Sequence, residues 1–258
     1  RHAPAGQRAA QVRLAEGGNC FNLNSLAALS SGEDSGGTAS YSPAQQAVIR
    51  HLQALDGLEL DRFQAVAITE SIGDWIDADD EPRASGAEIS YYVSQTPAYA
   101  PANRPMAHPS ELRAVANVTP EIFAALSPFV TVWPESPAPI NIHTAPLPVL
   151  RALNVDGSLE PLSRADGETL RAQRQEAGFA SVEDFLAQPV FAGATTTTVA
   201  TLLGETSSWF LLTARVEIAD RQARRYSVMR RQAREADVLA RIDASLYDLS
   251  PPPGDLAQ

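Results

Sequence analysis

The sequence predicts an α+β fold in which an antiparallel sheet is interrupted by a large α-helical insertion. Three observations carry this expectation. Residues 10–29 open with alternating apolar positions, among them Val12 and Leu14, and continue through Phe21 and Leu23. The middle of the chain breaks into short helical segments, several begun by a hydroxyl cap or a proline at the first turn. From Ser207 onward the apolar period changes to two. A lone strand at one end and three at the other bury a face most simply by pairing. Residues 1–42 and 206–250 are therefore expected to form one discontinuous α+β unit, 43–205 an inserted helical domain, and 251–258 a frayed tail.

The elements follow in order. A serine- and glycine-rich stretch, 30–42, reads as a loop. Ser42 then caps a helix with Pro43 at its first position, and Val48, Leu52 and Leu55 supply its apolar face. A second helix spans about 62–76, with Phe63, Val66, Ile68 and Ile72 apolar, and an acidic loop follows at 77–90. Residues 97–109 are proline-rich and extended. Helices are expected to open at Pro109, at Thr119-Pro120 and at Thr144-Ala145-Pro146, the last running through Leu153. Pro134 to Pro139 is a linker, and helices near 163–177 and 181–187 complete the insertion, the latter capped by Ser181. In the terminal meander Leu212, Ala214, Val216 and Ile218 face one way. A turn falls at Asp220-Arg221-Gln222, and Val238, Ala240 and Ile242 form one face of the last strand.

Composition narrows the function. The chain has 258 residues, and 31 acidic against 20 basic residues leave a net charge of −11. A nucleic-acid backbone or anionic membrane as main partner requires the opposite sign. All the basic residues are arginine, which removes lysine Schiff-base chemistry and the lysine of a phosphate loop. Cys20 is the single cysteine, excluding an intrachain disulfide and a cysteine-based zinc site. The four histidines, His2, His51, His108 and His143, are scattered. No nucleophile elbow or glycine-rich phosphate loop is present, so the reading is non-enzymatic. Charge is also segregated: residues 56–90 hold ten acids against Arg62 and Arg83, whereas 215–241 hold eight arginines against four acids. The arginine-rich strands read as a solvated face with cross-strand ion pairs, because no aromatics interleave to stack bases.

Two motifs could carry function. Counting Asp77 as position 1, Asp79 falls at 3, Glu81 at 5, Arg83 (through its carbonyl) at 7, Ser85 at 9 and Glu88 at 12, the ligand positions of an EF-hand loop. A hard cation takes many oxygens, and the five carboxylates of Asp77, Asp79, Asp80, Glu81 and Glu88 repel one another without one. Position 6 is Pro82 rather than glycine, and the flanking helix pair is lacking, so this is a calcium loop of EF-like spacing and not an EF-hand. The second motif is helix-hairpin-helix-like: Ile140-Asn141-Ile142-His143-Thr144-Ala145-Pro146, then Gly178-Phe179-Ala180-Ser181-Val182-Glu183-Asp184-Phe185, with a partial copy from Leu112 to Pro120. Neither copy has the glycine hairpin that would present backbone N–H groups to phosphate, and Asp156 places an acid there.

Taken together, Phe21-Asn22-Leu23-Asn24-Ser25-Leu26, Asp74-Trp75-Ile76-Asp77-Ala78-Asp79, Gly86-Ala87-Glu88 with Tyr91-Tyr92, Ala102-Asn103-Arg104-Pro105, Ser110-Glu111-Leu112-Arg113, Pro128-Phe129-Val130-Thr131 and the Ile140–Pro146 run resemble the general secretion pathway protein K family. These are the large minor pseudopilins of the bacterial type II secretion system. The resemblance is dense over about 12–153 and looser to about 247. It implies a pilin-like antiparallel sheet with a helical insertion, which agrees with the bracketed organisation. It also implies a tip complex with the I- and J-type minor pseudopilins, a periplasmic location, an inner-membrane anchor through an N-terminal hydrophobic helix not included in this sequence, and calcium on the acidic loop. Asp77, Asp79, Asp80, Glu81, Arg83 and Glu88 are the candidate ligands. Two positions depart from the family pattern: Ile89 stands where an Asp usually follows Glu88, and His143 where a second Asn is usual. The alternative is a periplasmic helix-hairpin-helix protein that binds or takes up DNA.

Overall fold

The computed structural model describes residues 8–27, 41–134, 138–218 and 221–242. Most of the loop expected at 30–42, the middle of the 134–139 linker, the start of the 220–222 turn and the tail lie outside the described residues.

The chain begins with strand β1 (Arg8–Glu16), a 3₁₀ turn, the short strand β2 (Phe21–Asn22) and a second 3₁₀ turn to Ala27. Helices α1 (Pro43–Ala54) and α2 (Arg62–Ile76) follow, then the one-turn α3 (Ile89–Tyr92). The Pro109–Ala114 segment is 3₁₀ rather than α. After it come α4 (Pro120–Leu126), β3 (Val130–Thr131), β4 (Ile140–Asn141), α5 (Leu147–Ala152), α6 (Arg164–Glu176), α7 (Val182–Leu186), α8 (Thr197–Ala200) and β5 (Leu203–Gly204). Three long strands end the described chain: β6 (Trp209–Ile218), β7 (Arg221–Gln232) and β8 (Glu235–Ile242).

The two ends pair as expected. β1 runs antiparallel to β6, and the sheet order is β1-β6-β7-β8. Two small parallel pairs, β2 with β3 and β4 with β5, lie outside that sheet. The hydrophobic core belongs to the helical body. Val48, Ile49 and Leu52 of α1, Ile68 and Ile72 of α2, and Val149 and Leu150 of α5 are all essentially inaccessible. Phe21, Leu23 and Leu26 join this core, although they belong to the opening segment grouped by sequence with the sheet. Phe63 does not join it. It sits in the first turn of α2, 75% exposed, with the Arg62 guanidinium 5.5 Å above its ring.

The sheet shows two departures. Val12 lies opposite Ala214 and Leu14 opposite Leu212, so Val12, Leu14, Leu212, Ala214 and Val216 share one face. Val12 and Leu14 are 70% and 52% exposed, while Tyr226 and Val228, on the other face, are buried. The apolar alternation thus marks an outward face, because the helical body covers the opposite one. A bulge between Val228 and Met229 pairs Ala240 with Val228 but Val238 with Met229. Val238 therefore points away from Ala240 and Ile242 instead of sharing their face, since the extra residue Leu239 reverses the alternation.

The crossings between sheet and helical body are joined by one polar cluster. Glu16 Oε2 accepts from Thr144 Oγ1 at 2.8 Å and from Ser207 Oγ at 3.0 Å. Asn141 Nδ2 donates to Ser207 Oγ at 3.1 Å. Gly18 makes the approach possible, since a Cβ there would lie 2.4 Å from Ser207 Oγ.

Candidate metal centre

The acidic loop is built on the C-terminus of α2. Asp61 caps that helix and Gln64 closes a capping box, which sets where it starts and hence which residues reach its end. Asp74 lies in the last turn, fully buried. Asp77 ends the helix in extended backbone, its N–H donating to the Gly73 carbonyl. The chain then runs out through Asp79–Glu81 and returns through Gly86 to Glu88, immediately before α3.

Three predicted ligands converge. Carboxylate oxygens of Asp77, Asp79 and Glu88 lie within 4.8 Å of one another. Glu88 is 2% exposed, and neither of its oxygens has a hydrogen-bond partner. It occupies the N-cap position of α3 without capping it, so its carboxylate is directed to the cluster instead. Asp77 Oδ1 is likewise buried and unpartnered. Burial first, then the charges of Asp74, Asp77, Asp80 and Asp79, push the Glu88 carboxyl up to about 7. Burial also raises Asp74 and Asp77, against the pull of Arg83.

The other predicted ligands are placed differently. Glu81 and Asp80 are exposed and stand outside the converging trio; Glu81 N–H closes a turn onto Asp79 Oδ1 at 3.0 Å. The Arg83 carbonyl accepts from Gly86 N–H at 3.1 Å, and its side chain turns inward. Arg83 Nη1 lies 2.5 Å from Asp74 Oδ1 and 2.7 Å from Asp77 Oδ2. Ser85 presents its N–H to Glu70 Oε2 at 2.6 Å. A close fit surrounds the ion pair: a Cβ at Gly86 would lie 1.9 Å from Asp74 Oδ2, and one at Gly73 2.8 Å from Arg83 Nη1.

Sequence spacing missed Asn103. It reaches the loop from a separate segment, its Nδ2 donating to the Asp79 carbonyl at 3.2 Å and to Asp80 Oδ1 at 3.0 Å. Its Oδ1 is buried and unpartnered, and its φ of 44° is a left-handed conformation that Asn tolerates. The signal was present in the Ala102-Asn103-Arg104-Pro105 run, but a ligand count within one loop does not reach it. A hard divalent cation suits the converging carboxylate oxygens of Asp77, Asp79 and Glu88.

The helix-hairpin-helix-like stretch is internally used. The Asp156 carboxylate accepts from Thr198 N–H and Val199 N–H, both at 2.9 Å, at the start of α8. An acid stands where a phosphate would have to bind.

Comparison with known proteins bears on the whole chain. Residues 19–135 and 140–205 match two family models, each described as type II secretion system (T2SS), protein K. Type II secretion system protein K of Pectobacterium carotovorum is 30% identical over 89% of this chain and 68% of its own length. Those of Klebsiella pneumoniae and Aeromonas hydrophila are 29% and 33% identical, over 86% and 81% of this chain and 66% and 63% of theirs. The chain thus spans about two thirds of the length of these curated relatives. A chain in the crystal structure of the GspK-GspI-GspJ complex from the enterotoxigenic Escherichia coli type 2 secretion system superposes with a TM-score of 0.75 at 28% identity, over 95% of this chain and 82% of its own. With two family models along its length and a shared fold, this chain belongs to the type II secretion system protein K family.

Proposed function

We propose that this chain acts as a non-enzymatic minor pseudopilin in the periplasm, joining I- and J-type partners at the tip of the pseudopilus, with calcium ordering its acidic loop. The observation that carries the assembly role is the superposition of nearly the whole chain on a component of a K–I–J complex. In this reading the helical body supplies bulk and surface, and the sheet supplies pilin-like packing. Among the described residues no helix is long and apolar enough to cross a membrane.

Calcium rests on a separate observation, the buried Glu88 carboxylate whose two oxygens lack partners while facing Asp77 and Asp79. An ionised carboxylate left so is costly, and a bound cation removes that cost. Asp77, Asp79 and Glu88 would hold the ion, with Asn103 bracing the loop through its Nδ2. The ion supplies positive charge that fastens the end of α2 to the start of α3.

Size-exclusion co-elution with the I- and J-type head domains from the same genome, in calcium and in chelator, tests both parts. A ternary peak that weakens in chelator is expected. A ternary peak indifferent to chelator overturns the calcium part alone, and failure to associate in either buffer overturns the assembly role.

A further inference from the structure

The acidic pocket contains a cation of its own. Arg83 Nη1 sits between Asp74 Oδ1 at 2.5 Å and Asp77 Oδ2 at 2.7 Å, and the Arg83 side chain is only 16% exposed. Asp74 is saturated by the same residue, since its Oδ2 accepts the Arg83 backbone N–H at 3.2 Å. The two oxygens of Asp77 are thereby divided. Oδ2 faces the guanidinium, whereas Oδ1 is buried and unpartnered. Gly73 and Gly86 hold the pair in place by having no side chain, because a Cβ at either would collide with Arg83 or Asp74.

We infer that Arg83 is a fixed internal counter-cation occupying the inner half of the pocket, which limits the pocket to one divalent ion at its outer half, on Asp77, Asp79 and Glu88. This deepens the calcium reading and rests on it. The argument is electrostatic and geometric. A second ion on Asp74 would have to displace a buried guanidinium that makes two short charge-assisted bonds, or sit against its like charge. Arg83 also neutralises part of the cluster before any metal arrives, so the loop can hold its shape while vacating the outer oxygens.

The test is calcium stoichiometry of the full chain, by titration calorimetry and native mass spectrometry with calcium as the added ligand. Wild type is expected to bind one ion in the pocket, and Arg83→Gln two. Glu88→Gln and Asp79→Asn should weaken binding by about tenfold or more, as loss of a charged ligand does. Asp74→Asn should change it by about threefold or less, because Asp74 is not a ligand. Should Arg83→Gln fail to fold by circular dichroism, the wild-type stoichiometry and the Asp74-versus-Glu88 contrast still decide. Two pocket ions in wild type, one ion in a folded Arg83→Gln, or an Asp74→Asn loss matching that of Glu88→Gln overturns the inference while leaving the calcium reading intact. No binding by wild type overturns both.

Discussion

His51 is inaccessible to solvent, with its ring 4.9 Å from that of Phe21 and 5.3 Å from that of Phe129. Its Nδ1 contacts the Pro148 carbonyl at 3.3 Å, and its Nε2 has no partner. Burial holds its pKa down to about 4 from an ordinary 6.5, with the Pro148 contact acting in the opposite direction. The unfolded chain therefore binds a proton that the folded chain refuses. The contribution is intact above about pH 6.5 and is lost as pH falls toward 4, with about 3 kcal/mol at stake. Urea midpoints of wild type should drop across that window, and those of His51→Leu should drop distinctly less; parallel pH profiles would refute the assignment. Gly86→Ala tests packing beside the ion pair. Its Cβ would lie 1.9 Å from Asp74 Oδ2, so a loss of about 1–3 kcal/mol in urea is expected, and a neutral result would mean that the loop relaxes freely.

At the scale of elements, helix starts are set by local chemistry. Ser42 accepts from Gln45 N–H, Thr119 from Ile122 N–H and Ser181 from Asp184 N–H, as cap and proline signals lead one to expect. Ser42→Ala should cost about 1 kcal/mol in urea denaturation, and Asp61→Ala a similar amount, with α2 fraying at its first turn, the end away from the acidic pocket. An undiminished midpoint in both would show that tertiary packing alone holds these ends. The elements that sequence did not reveal are short: α3, α8, the 3₁₀ turn at Pro189–Phe191, and the two-residue strands β3, β4 and β5. Four residues carry no measurable period, and a two-residue strand exists only because a partner strand is brought beside it. The pocket divides in the same way. Asp77, Asp79 and Glu88 were legible from spacing within one loop. The inward Arg83 side chain and Asn103 were not, since side-chain direction and an approach from a distant segment leave no local pattern.

At the scale of the molecule, Glu16 and Ser207, at the two crossings between sheet and helical body, are tied to each other and to Asn141 and Thr144 of the helical body. Glu16→Ala removes the shared acceptor and leaves two hydroxyls to find others, a loss of about 1–2 kcal/mol. Hydrogen exchange should quicken around 141–145 and 204–208 while the interior of α1 keeps its protection. Equal quickening throughout would mean that Glu16 supports global stability and not the junction.

The sequence by itself determined the α+β class, the starts of α1, α4 and α7, the pairing of the chain's two ends and the clustering of acids in one loop. Each of these depends on residues close together in the chain, or on a period that any burial must satisfy. The tertiary structure alone decided which face of the sheet is covered, where the β8 register slips, that the opening segment beyond Glu16 packs into the helical core, and that Arg83 lies inside the acidic pocket. Those outcomes depend on what is brought opposite each residue. A period of two names two faces but cannot say which one the helical body will cover.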